Sequence, residues 1–383
     1  MKIVLAFDSF KGCLSAREAC SAAAAGIHSV RPDIETVSLP MADGGEGTAE
    51  AMRAALGGEW IPLAVTGPLF SMKVEAGFAW LEHEKTAVVE MATASGLPLL
   101  KDRERNPMET TTYGTGELIK AAIEKGAEKI LLTVGGSATV DGGIGAAAAL
   151  GWRFLDAEDR EIPLSGKGLG LVAQICPPEG RDGSPNRPWT PRRGVPTIDV
   201  LCDVTNPLCG PNGAAHIYGP QKGATSEMVE ELDAGLKKLS VKVSEQLGIE
   251  TADFSGAGAA GGLSAGAVAF LGGRLVRGID TVMEVTGLAD ALEGADWALT
   301  GEGRFDSQSL QGKVADGVAR LAKKAGAKTG VIAGLVELSE AEWRAAGIDS
   351  VSSICPETMS PGESMHRAAE LLSERAATFA RGL

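Results

Sequence analysis

The sequence predicts an α/β protein with a doubly wound, mostly parallel sheet, interrupted by a second, more β-rich α/β domain. Four apolar, strand-like runs each end in a loop rich in glycine and acidic residues, and each loop leads into a helix-like stretch. Because the carboxyl ends of parallel strands share one edge of a sheet, we expect these loops to meet at one ligand crevice. The runs are Lys2–Phe7, Thr36–Pro40, Ile130–Val134 and Trp297–Thr300.

Helices and strands are predicted in order along the chain. Ser15-Ala-Arg-Glu18 is a capping-box pattern that opens an Ala-rich helix continuing to about Val30. Short strands separated by turns then replace the strand–helix rhythm over residues 61–90. The other expected elements are helices at 49–56, 116–125, 143–150 and 226–247, and strands at 60–65, 73–78, 86–90, 196–202 and near 331.

These patterns divide the chain into two domains, each assembled from separate segments. A run rich in Pro, Gly and Arg at 180–194 has the composition of a surface loop. The first domain is expected to comprise 1–60, 107–150 and 275–383, and the second, inserted domain 61–106 and 151–274.

Composition excludes several classes of protein. The 383-residue chain has a net charge of −14 and no Lys/Arg cluster, which argues against a nucleic-acid surface. Its six cysteines are scattered without a CxxC pair, and the N-terminal apolar run is too short for a signal peptide, so we expect a reduced, cytoplasmic protein. The uncharged stretch Phe254–Gly273 contains seven glycines and is rejected as a membrane span.

The glycine-rich loops have the composition of an anion-binding site. Glycine lets backbone N–H groups approach a phosphate closely, and a helix N-terminus favours an anion. Gly135-Gly136-Ser137-Ala138-Thr139 follows a clear strand and precedes a helix, so it predicts an anion cradle with added hydroxyl groups. Asp43-Gly44-Gly45-Glu46 places two carboxylates beside two glycines, more than a helix cap requires.

Charged residues beside these loops predict a nucleotide with a metal ion. Carboxylate oxygens are ligands that Mg²⁺ prefers, and Asp203 and Glu302 are the first candidates. Lys11 and Arg304 supply positive charge for a substrate carboxylate or a phosphoryl group. The Asp203–Asn206 pair is equally well explained as a turn before Pro207.

Two common nucleotide motifs are absent or weak. The run from Gly303 to Lys313 continues with Val314 instead of Ser or Thr, so it is not a Walker A motif. Residues 256–261 match GxGxxG, but no apolar strand precedes them. The hypothesis of a dinucleotide-dependent oxidoreductase is supported by that segment alone.

Six motifs follow one another from residue 1 to nearly the end of the chain. They are Asp8-Ser-Phe-Lys-Gly12, Met41-Ala-Asp-Gly-Gly-Glu-Gly-Thr48, Gly135-Gly-Ser-Ala-Thr-Val-Asp-Gly-Gly143, Asp203-Val-Thr-Asn-Pro-Leu208, Gly219-Pro-Gln-Lys-Gly-Ala224 and Thr300-Gly-Glu-Gly-Arg-Phe-Asp-Ser-Gln-Ser309. In this order they resemble the motifs of the bacterial type-1 glycerate kinase family. Two departures from the family pattern, Phe7 in place of Pro and Cys13 in place of Ser, leave Asp8 and Lys11 intact.

The resemblance implies ATP-dependent phosphorylation of D-glycerate, generally at the 2-hydroxyl, which gives 2-phospho-D-glycerate and ADP. It also implies a flavodoxin-like domain that carries an inserted second domain, with the active site in the cleft between them. We therefore expect ATP and Mg²⁺ as cofactors and D-glycerate as the partner, with no nucleic acid and no membrane; a homodimer is one open expectation.

On this hypothesis the candidate residues take four roles. Either Asp43 or Asp306 accepts the proton of the substrate hydroxyl, and the sequence does not distinguish them. The assignments are catalytic for Asp43, Asp306, Lys11 and Arg304; substrate-binding for Asp8, Ser9, Lys11, Asn206 and Lys222; cofactor-binding for Gly44, Gly45, Gly135, Gly136, Ser137, Thr139, Gly301 and Gly303; and metal-binding for Asp203 and Glu302.

Two alternatives stay open at this point. The same glycine-rich crevice suits a non-catalytic binder or sensor of a phosphorylated metabolite, and the other alternative is a kinase that gives 3-phosphoglycerate. A sensor would bind its ligand without turnover, whereas a kinase would release ADP in a reaction that requires D-glycerate and magnesium.

Overall fold

The computed structural model describes residues 1–178, 196–356 and 358–383, so the surface loop expected at 180–194 lies outside the described residues. The described chain has a mixed α/β fold with mostly parallel sheets. Its strands are β1 (Lys2–Leu5), β2 (Glu35–Ser38), β3 (Glu59–Thr66), β4 (Lys73–Leu81), β5 (Thr86–Glu90), β6 (Lys129–Thr133), β7 (Arg153–Leu155), β8 (Gln174–Cys176), β9 (Thr197–Leu201), β10 (Arg274–Val276), β11 (Trp297–Thr300), β12 (Arg304–Phe305), β13 (Lys328–Ala333), β14 (Leu335–Val336) and β15 (Ser350–Ser353).

The helices occur between these strands and at the C-terminal end. They are α1 (Ala16–Val30), α2 (Thr48–Leu56), α3 (Ala92–Ser95), α4 (Tyr113–Lys125), α5 (Ile144–Ala149), α6 (Ala214–Tyr218), α7 (Ser226–Leu247), α8 (Ala259–Leu271), α9 (Gly278–Val285), α10 (Leu288–Leu292), α11 (Val314–Ala325), α12 (Glu340–Ala345), α13 (Pro361–His366) and α14 (Ala368–Arg381).

Internal contacts divide the chain into two compact units. The first unit comprises Met1–Asp43, Glu50–Gly58 and Gly278–Leu383, and the second comprises Gly44–Ala49 and Glu59–Arg277. The second unit therefore interrupts the first in the sequence. The glycine-rich loop after β2 passes from one unit into the other at Asp43.

The first unit contains a five-stranded parallel sheet in the order β15-β13-β11-β1-β2. Successive residues of β13 belong to different cores: Ile332 packs with α1 and α14, whereas Val331 packs with α11. Because side chains alternate between the two faces of a strand, helices cover both faces of this sheet. The doubly wound arrangement expected from the sequence is therefore present in the first unit.

Helix α1 shows how the sequence directs this packing. The Ser15 side chain accepts a hydrogen bond from the Glu18 amide, and the Glu18 carboxylate accepts one from the Ser15 amide, which confirms the predicted capping box. Near the other end of α1, a Cβ at Gly26 would overlap the carbonyl group of Ser373 in α14. A glycine at this position allows the two helices to pack closely.

The second unit contains a six-stranded sheet in the order β10-β9-β6-β5-β4-β3. Strands β3 and β4 are antiparallel, and the three short strands expected over residues 60–90 are present as β3, β4 and β5. Two further strands, β7 and β8, form a separate antiparallel pair. The second unit thus combines parallel with antiparallel strands.

Residues 107–150 lie in the second unit, whereas the sequence analysis assigned them to the doubly wound domain. The reason is the pairing of β6, which lies in parallel between β5 and β9. Its residues Ile130, Leu131 and Leu132 have no exposed surface. A buried parallel strand of this kind has the same local sequence pattern in either sheet.

The GxGxxG segment serves close packing in the second unit. Helix α8 is buried along most of its length, and Gly261 has a φ of +66°. A Cβ at Gly261 would overlap the carbonyl group of Thr139, in the loop after β6. None of the helices in the described ranges has both the length and the apolar character of a membrane-spanning helix.

Candidate functional site

A pocket of about 350 Å³ lies in the first unit, at the carboxyl ends of β1 and β11. Those two strands pair in parallel at the centre of the sheet, so the loops that follow them emerge side by side. Sequence-predicted residues that line the pocket are Asp8, Ser9, Lys11, Asp43, Glu302, Gly303, Arg304 and Asp306.

Backbone hydrogen bonds hold the two loops in place. The Asp8 amide donates to the Gly301 carbonyl over 2.9 Å, and the Gly334 amide donates to the Glu302 carbonyl over 2.9 Å. A Cβ at Gly301 would overlap the Ile332 carbonyl of the neighbouring strand, so this predicted position requires glycine for backbone packing. The side chains of Asp8 and Glu302 are thus positioned by the central strands of the sheet.

Several carboxylates share this pocket, and two of them, Asp8 and Glu302, have raised pKa values. Burial raises the pKa of Asp8 to about 7, with further increases from the charges of Asp43 and Glu302. The Ser9 amide, which donates to Asp8 Oδ1 over 2.6 Å, and the charge of Lys11 act in the opposite direction. Asp8 therefore titrates far above an ordinary aspartate.

Glu302 has a similarly unfavourable environment for a charged group. Burial raises its pKa, while Ser309 and Lys313 oppose that increase and Asp306 and Asp43 add to it. Its Oε1 atom is buried and accepts no hydrogen bond from any described residue. A buried carboxylate oxygen without a partner is costly unless a cation or a donor from a ligand approaches it.

Positive charge in the pocket comes from three side chains. Lys11 and Arg304 were predicted from the sequence, and the Arg304 guanidinium lies 3.5 Å from the Glu337 carboxylate. Lys313 also lines the pocket, although the sequence analysis noted it only as the end of a failed Walker A motif. The sequence signal that could have identified Lys313 as a pocket residue is the Gly-Lys pair at the start of α11, because this pair follows the acidic loop closely in the chain.

The second unit contains the other two glycine-rich loops, which lie against each other. A Cβ at Gly135 would lie 3.2 Å from the Cα atom of Gly45, and Gly136 adopts a φ of +70° with the Glu46 carboxylate against it. The amides of Gly136 and Ser137 donate to no backbone or side-chain acceptor in the described residues. These amides are available to a ligand, as an anion cradle requires.

Two buried charged residues support this cradle from within the second unit. Lys222 Nζ donates to Ser137 Oγ and to the Thr139 carbonyl, each over 2.7 Å. Asp141, in the loop after β6, accepts from the Thr112 amide and hydroxyl over 2.8 Å and from the Gly143 amide over 3.0 Å. The carboxylate of Asp141 therefore serves the loop structure.

The loop after β9 contains the remaining predicted residues. Asn206 donates to the Asn212 carbonyl over 2.9 Å and accepts from the Tyr218 hydroxyl over 2.7 Å, so its amide group is engaged in loop structure. Asp203 is exposed. Contact of either residue with substrate or metal stays a prediction.

The four loops are thus found as two sets. The loops after β1 and β11, together with Asp43, line the pocket of the first unit, and the loops after β2 and β6 form the cradle of the second. Sequence analysis did not identify Glu90 at the end of β5, which accepts from the Ala49 amide over 2.7 Å. That contact joins positions 41 residues apart.

Comparisons with known proteins agree along the whole chain. A family described as the Glycerate kinase family matches residues 3–383. The chain is 45% identical over 354 residues to the Glycerate 2-kinase of Escherichia coli (strain K12), covering 92% of this chain and 90% of that protein. It is 44% identical over 351 residues to the Glycerate kinase of Haemophilus influenzae, covering 92% and 90%.

A solved structure is similar over the same extent. It is a crystal structure from Salmonella typhimurium LT2, provisionally named a glycerate kinase 2. It superimposes with a TM-score of 0.87 at 40% sequence identity, covering 100% of this chain and 98% of that one.

We predict that Asp8→Asn stabilises the protein above neutral pH. The pKa of Asp8 is raised to about 7 by folding, so the folded state binds its proton more tightly than the unfolded state between pH 4 and 7. The free energy of unfolding of the wild-type protein should therefore fall as pH rises through that range. In the variant this decrease should be absent. We expect a gain of about 2 kcal/mol at pH 8, measured by urea unfolding without divalent cations.

The matched control is Asp290→Asn, which removes an exposed carboxylate from the same unit. Its unfolding free energy should change by less than about 0.5 kcal/mol. An unchanged pH dependence in Asp8→Asn would show that Asp8 is not under electrostatic stress.

Proposed function

Because the chain belongs to the glycerate kinase family, we propose that it transfers the γ-phosphoryl group of ATP to the 2-hydroxyl of D-glycerate. The products are 2-phospho-D-glycerate and ADP. The observation that carries this proposal is the family match over residues 3–383, joined to a pocket that combines carboxylates with lysine and arginine. The name Glycerate 2-kinase of the E. coli relative supports the 2-position.

The proposal includes a flavodoxin-like fold for the first unit. Numbered along the chain within that unit, its strands have the order 2-1-3-4-5, which is the flavodoxin-like order. The second unit interrupts the first in the sequence, as an inserted domain would. We also keep the expectation of one active site served by both units, and of a cytoplasmic location, as parts of the proposal.

The cradle of the second unit is assigned to the phosphates of ATP. Free amides at Gly136 and Ser137 and the close approach of Gly45 suit an anionic group. The Thr139 hydroxyl is buried and has no hydrogen-bond partner among the described residues, so a ligand oxygen could satisfy it. The exposed Glu46 side chain lies against Gly136 and must move, or share a cation, when a phosphate binds.

The pocket of the first unit is assigned to D-glycerate. Lys11 and Arg304 would neutralise the substrate carboxylate or the migrating phosphoryl group. Asp8 and Ser9 would accept and donate hydrogen bonds to the substrate hydroxyls. These contacts would fix the orientation of the 2-hydroxyl. Positioning of the reactants is a large part of how proteins catalyse phosphoryl transfer.

The acidic residues of the pocket fit a magnesium ion. The donor set consists of carboxylate oxygens, which Mg²⁺ prefers, and the unpartnered Oε1 of Glu302 is one of them. The described residues contain no preformed group of three or more His, Cys, Asp or Glu side chains arranged to hold a metal. Mg²⁺ often binds through one or two carboxylates with water and substrate phosphates, so Glu302 suffices for this assignment, and Asp203, in the second unit, stays a second metal-binding candidate from the sequence.

The bound ion would neutralise charge that develops on the phosphate oxygens. The protein's own part is to hold the reactants and to accept a proton. As the 2-hydroxyl oxygen forms its bond to the γ-phosphorus, the bond from that phosphorus to the ADP oxygen breaks, and the hydroxyl proton passes to a carboxylate. Asp43 and Asp306 both line the pocket and are the candidate acceptors.

The proposed reaction predicts ADP formation that requires both D-glycerate and Mg²⁺. A coupled ADP assay measures the rate, and phosphorus NMR of the product distinguishes the 2-phosphate from the 3-phosphate. The matched control substrate is 3-hydroxypropionate, which lacks the 2-hydroxyl and should give no ADP. Absence of ADP with D-glycerate would favour a metabolite sensor, and a 3-phosphate product would overturn the assignment of the hydroxyl.

The proton acceptor is identified by Asp43→Asn and Asp306→Asn. We expect the variant that lacks the base to lose turnover by about a hundredfold or more while it retains nucleotide affinity. Turnover and ADP affinity are measured by the coupled assay and by calorimetry, with Asp290→Asn as the exposed-carboxylate control. Normal turnover in both pocket variants would refute a carboxylate base at either position.

A further inference from the structure

Lys222 is a buried lysine that contacts the cradle of the second unit. Only 2% of its surface is exposed, and its ammonium group contacts Ser137 and Thr139, which lie 85 and 83 residues away in sequence. The lysine ends a short 3₁₀ turn, Pro220–Lys222, that follows α6. The substrate contact expected for Lys222 from the sequence would require a more accessible side chain.

The chemistry of the Lys222–Ser137 hydrogen bond determines what Ser137 can do. While Lys222 is charged, its ammonium group has only hydrogens to offer, so Ser137 Oγ accepts in this bond. The hydrogen of the Ser137 hydroxyl then remains for another acceptor. No such acceptor occurs among the described residues, because the only side-chain hydrogen bond that Ser137 forms there is the one from Lys222.

The surroundings of Ser137 favour an anionic acceptor. The amides of Gly136 and Ser137 are unused by the described residues, so two further donors lie in the same loop. The nearby carboxylate of Asp141 already accepts from Thr112 and Gly143. Donors without an internal acceptor, beside a buried cation, are the arrangement that binds phosphate oxygens.

We propose that Lys222 is a positioning residue that acts through Ser137, orienting and polarising its hydroxyl as a hydrogen-bond donor to a phosphate group of the nucleotide. This inference rests on the proposed function, which assigns the cradle to ATP. The positive charge strengthens the Ser137 hydroxyl as a donor, because linked hydrogen bonds polarise one another. The second hydrogen bond of Lys222, to the Thr139 carbonyl, holds the loop backbone in place relative to the Ser137 hydroxyl.

A purely structural lysine is a poorer explanation. Burial lowers the pKa of Lys222 to about 7, and only the charge of Asp141 opposes that decrease. An apolar side chain of the same length would fill this space without the desolvation penalty of a buried charge. A nucleotide phosphate that accepts a hydrogen bond from Ser137 would add a second negative charge, besides that of Asp141, near Lys222. That charge would stabilise the ammonium form of Lys222.

The test is a double-mutant cycle with Lys222→Met and Ser137→Ala. Binding of ADP and of inorganic tripolyphosphate is measured by calorimetry, and steady-state rates are measured with ATP and D-glycerate. Each single variant should bind both ligands roughly tenfold or more weakly, because a hydrogen bond to a charged group is lost. The double variant should bind each ligand as tightly as Ser137→Ala does, within about threefold. The KM for ATP should rise while the KM for D-glycerate stays unchanged.

Lys238→Met is the matched control, because Lys238 donates to the Gly170 carbonyl over 2.6 Å in the same unit but is exposed. It should leave both binding constants unchanged. Independent, additive losses in the cycle would overturn the proposal, as would a loss of thermal stability in Lys222→Met without a change in ligand binding. If Lys222→Met does not fold, Lys222→Gln replaces it under the same criterion.

Failure of this inference is distinguishable from failure of the proposed function. Coupling between positions 222 and 137 in tripolyphosphate binding, without ADP formation from D-glycerate, would support the inference and contradict the function. Normal kinase activity without that coupling would contradict the inference alone.

Discussion

The parallel pairing of β1 with β11 is the constraint on which the candidate substrate site depends. It brings the Asp8 amide to the Gly301 carbonyl and so places two acidic loops beside one pocket. Burial, with the charges of Asp43 and Glu302 beside it, raises the pKa of Asp8, and one buried Glu302 oxygen has no hydrogen-bond partner among the described residues. The fold thereby maintains an electrostatic stress that a bound cation would relieve.

The second unit has the opposite chemical character at its glycine-rich loops. There the close approach of Gly45 and Gly135 and the unused amides present hydrogen-bond donors, supported by the buried ammonium of Lys222. Phosphoryl transfer needs donors for the phosphates, oxygen ligands for a metal and an acceptor for one proton. Hydrogen-bond donors occur at the glycine-rich loops of the second unit and carboxylate oxygens in the pocket of the first, so each requirement has candidate residues in one unit or the other.

Local signals in the sequence were sufficient for most of the helices and strands. The Ser15–Glu18 capping box and the short strands over residues 60–90 depend on nearest neighbours, and both are present. The sheet that β6 joins depends on distant partners, so its assignment from sequence was wrong. The structural role of Asp141 and the burial of Lys222 depend likewise on contacts across 29 and 85 residues, and periodicity contains no information about them.

The most direct test of this account is anomalous diffraction from crystals grown with Mn²⁺, ADP and D-glycerate. We expect manganese beside the Glu302 carboxylate and D-glycerate in the pocket lined by Asp8 and Lys11. Manganese distant from every carboxylate of that pocket, or D-glycerate bound elsewhere, would contradict the claim that the paired loops of β1 and β11 form the site of phosphoryl transfer.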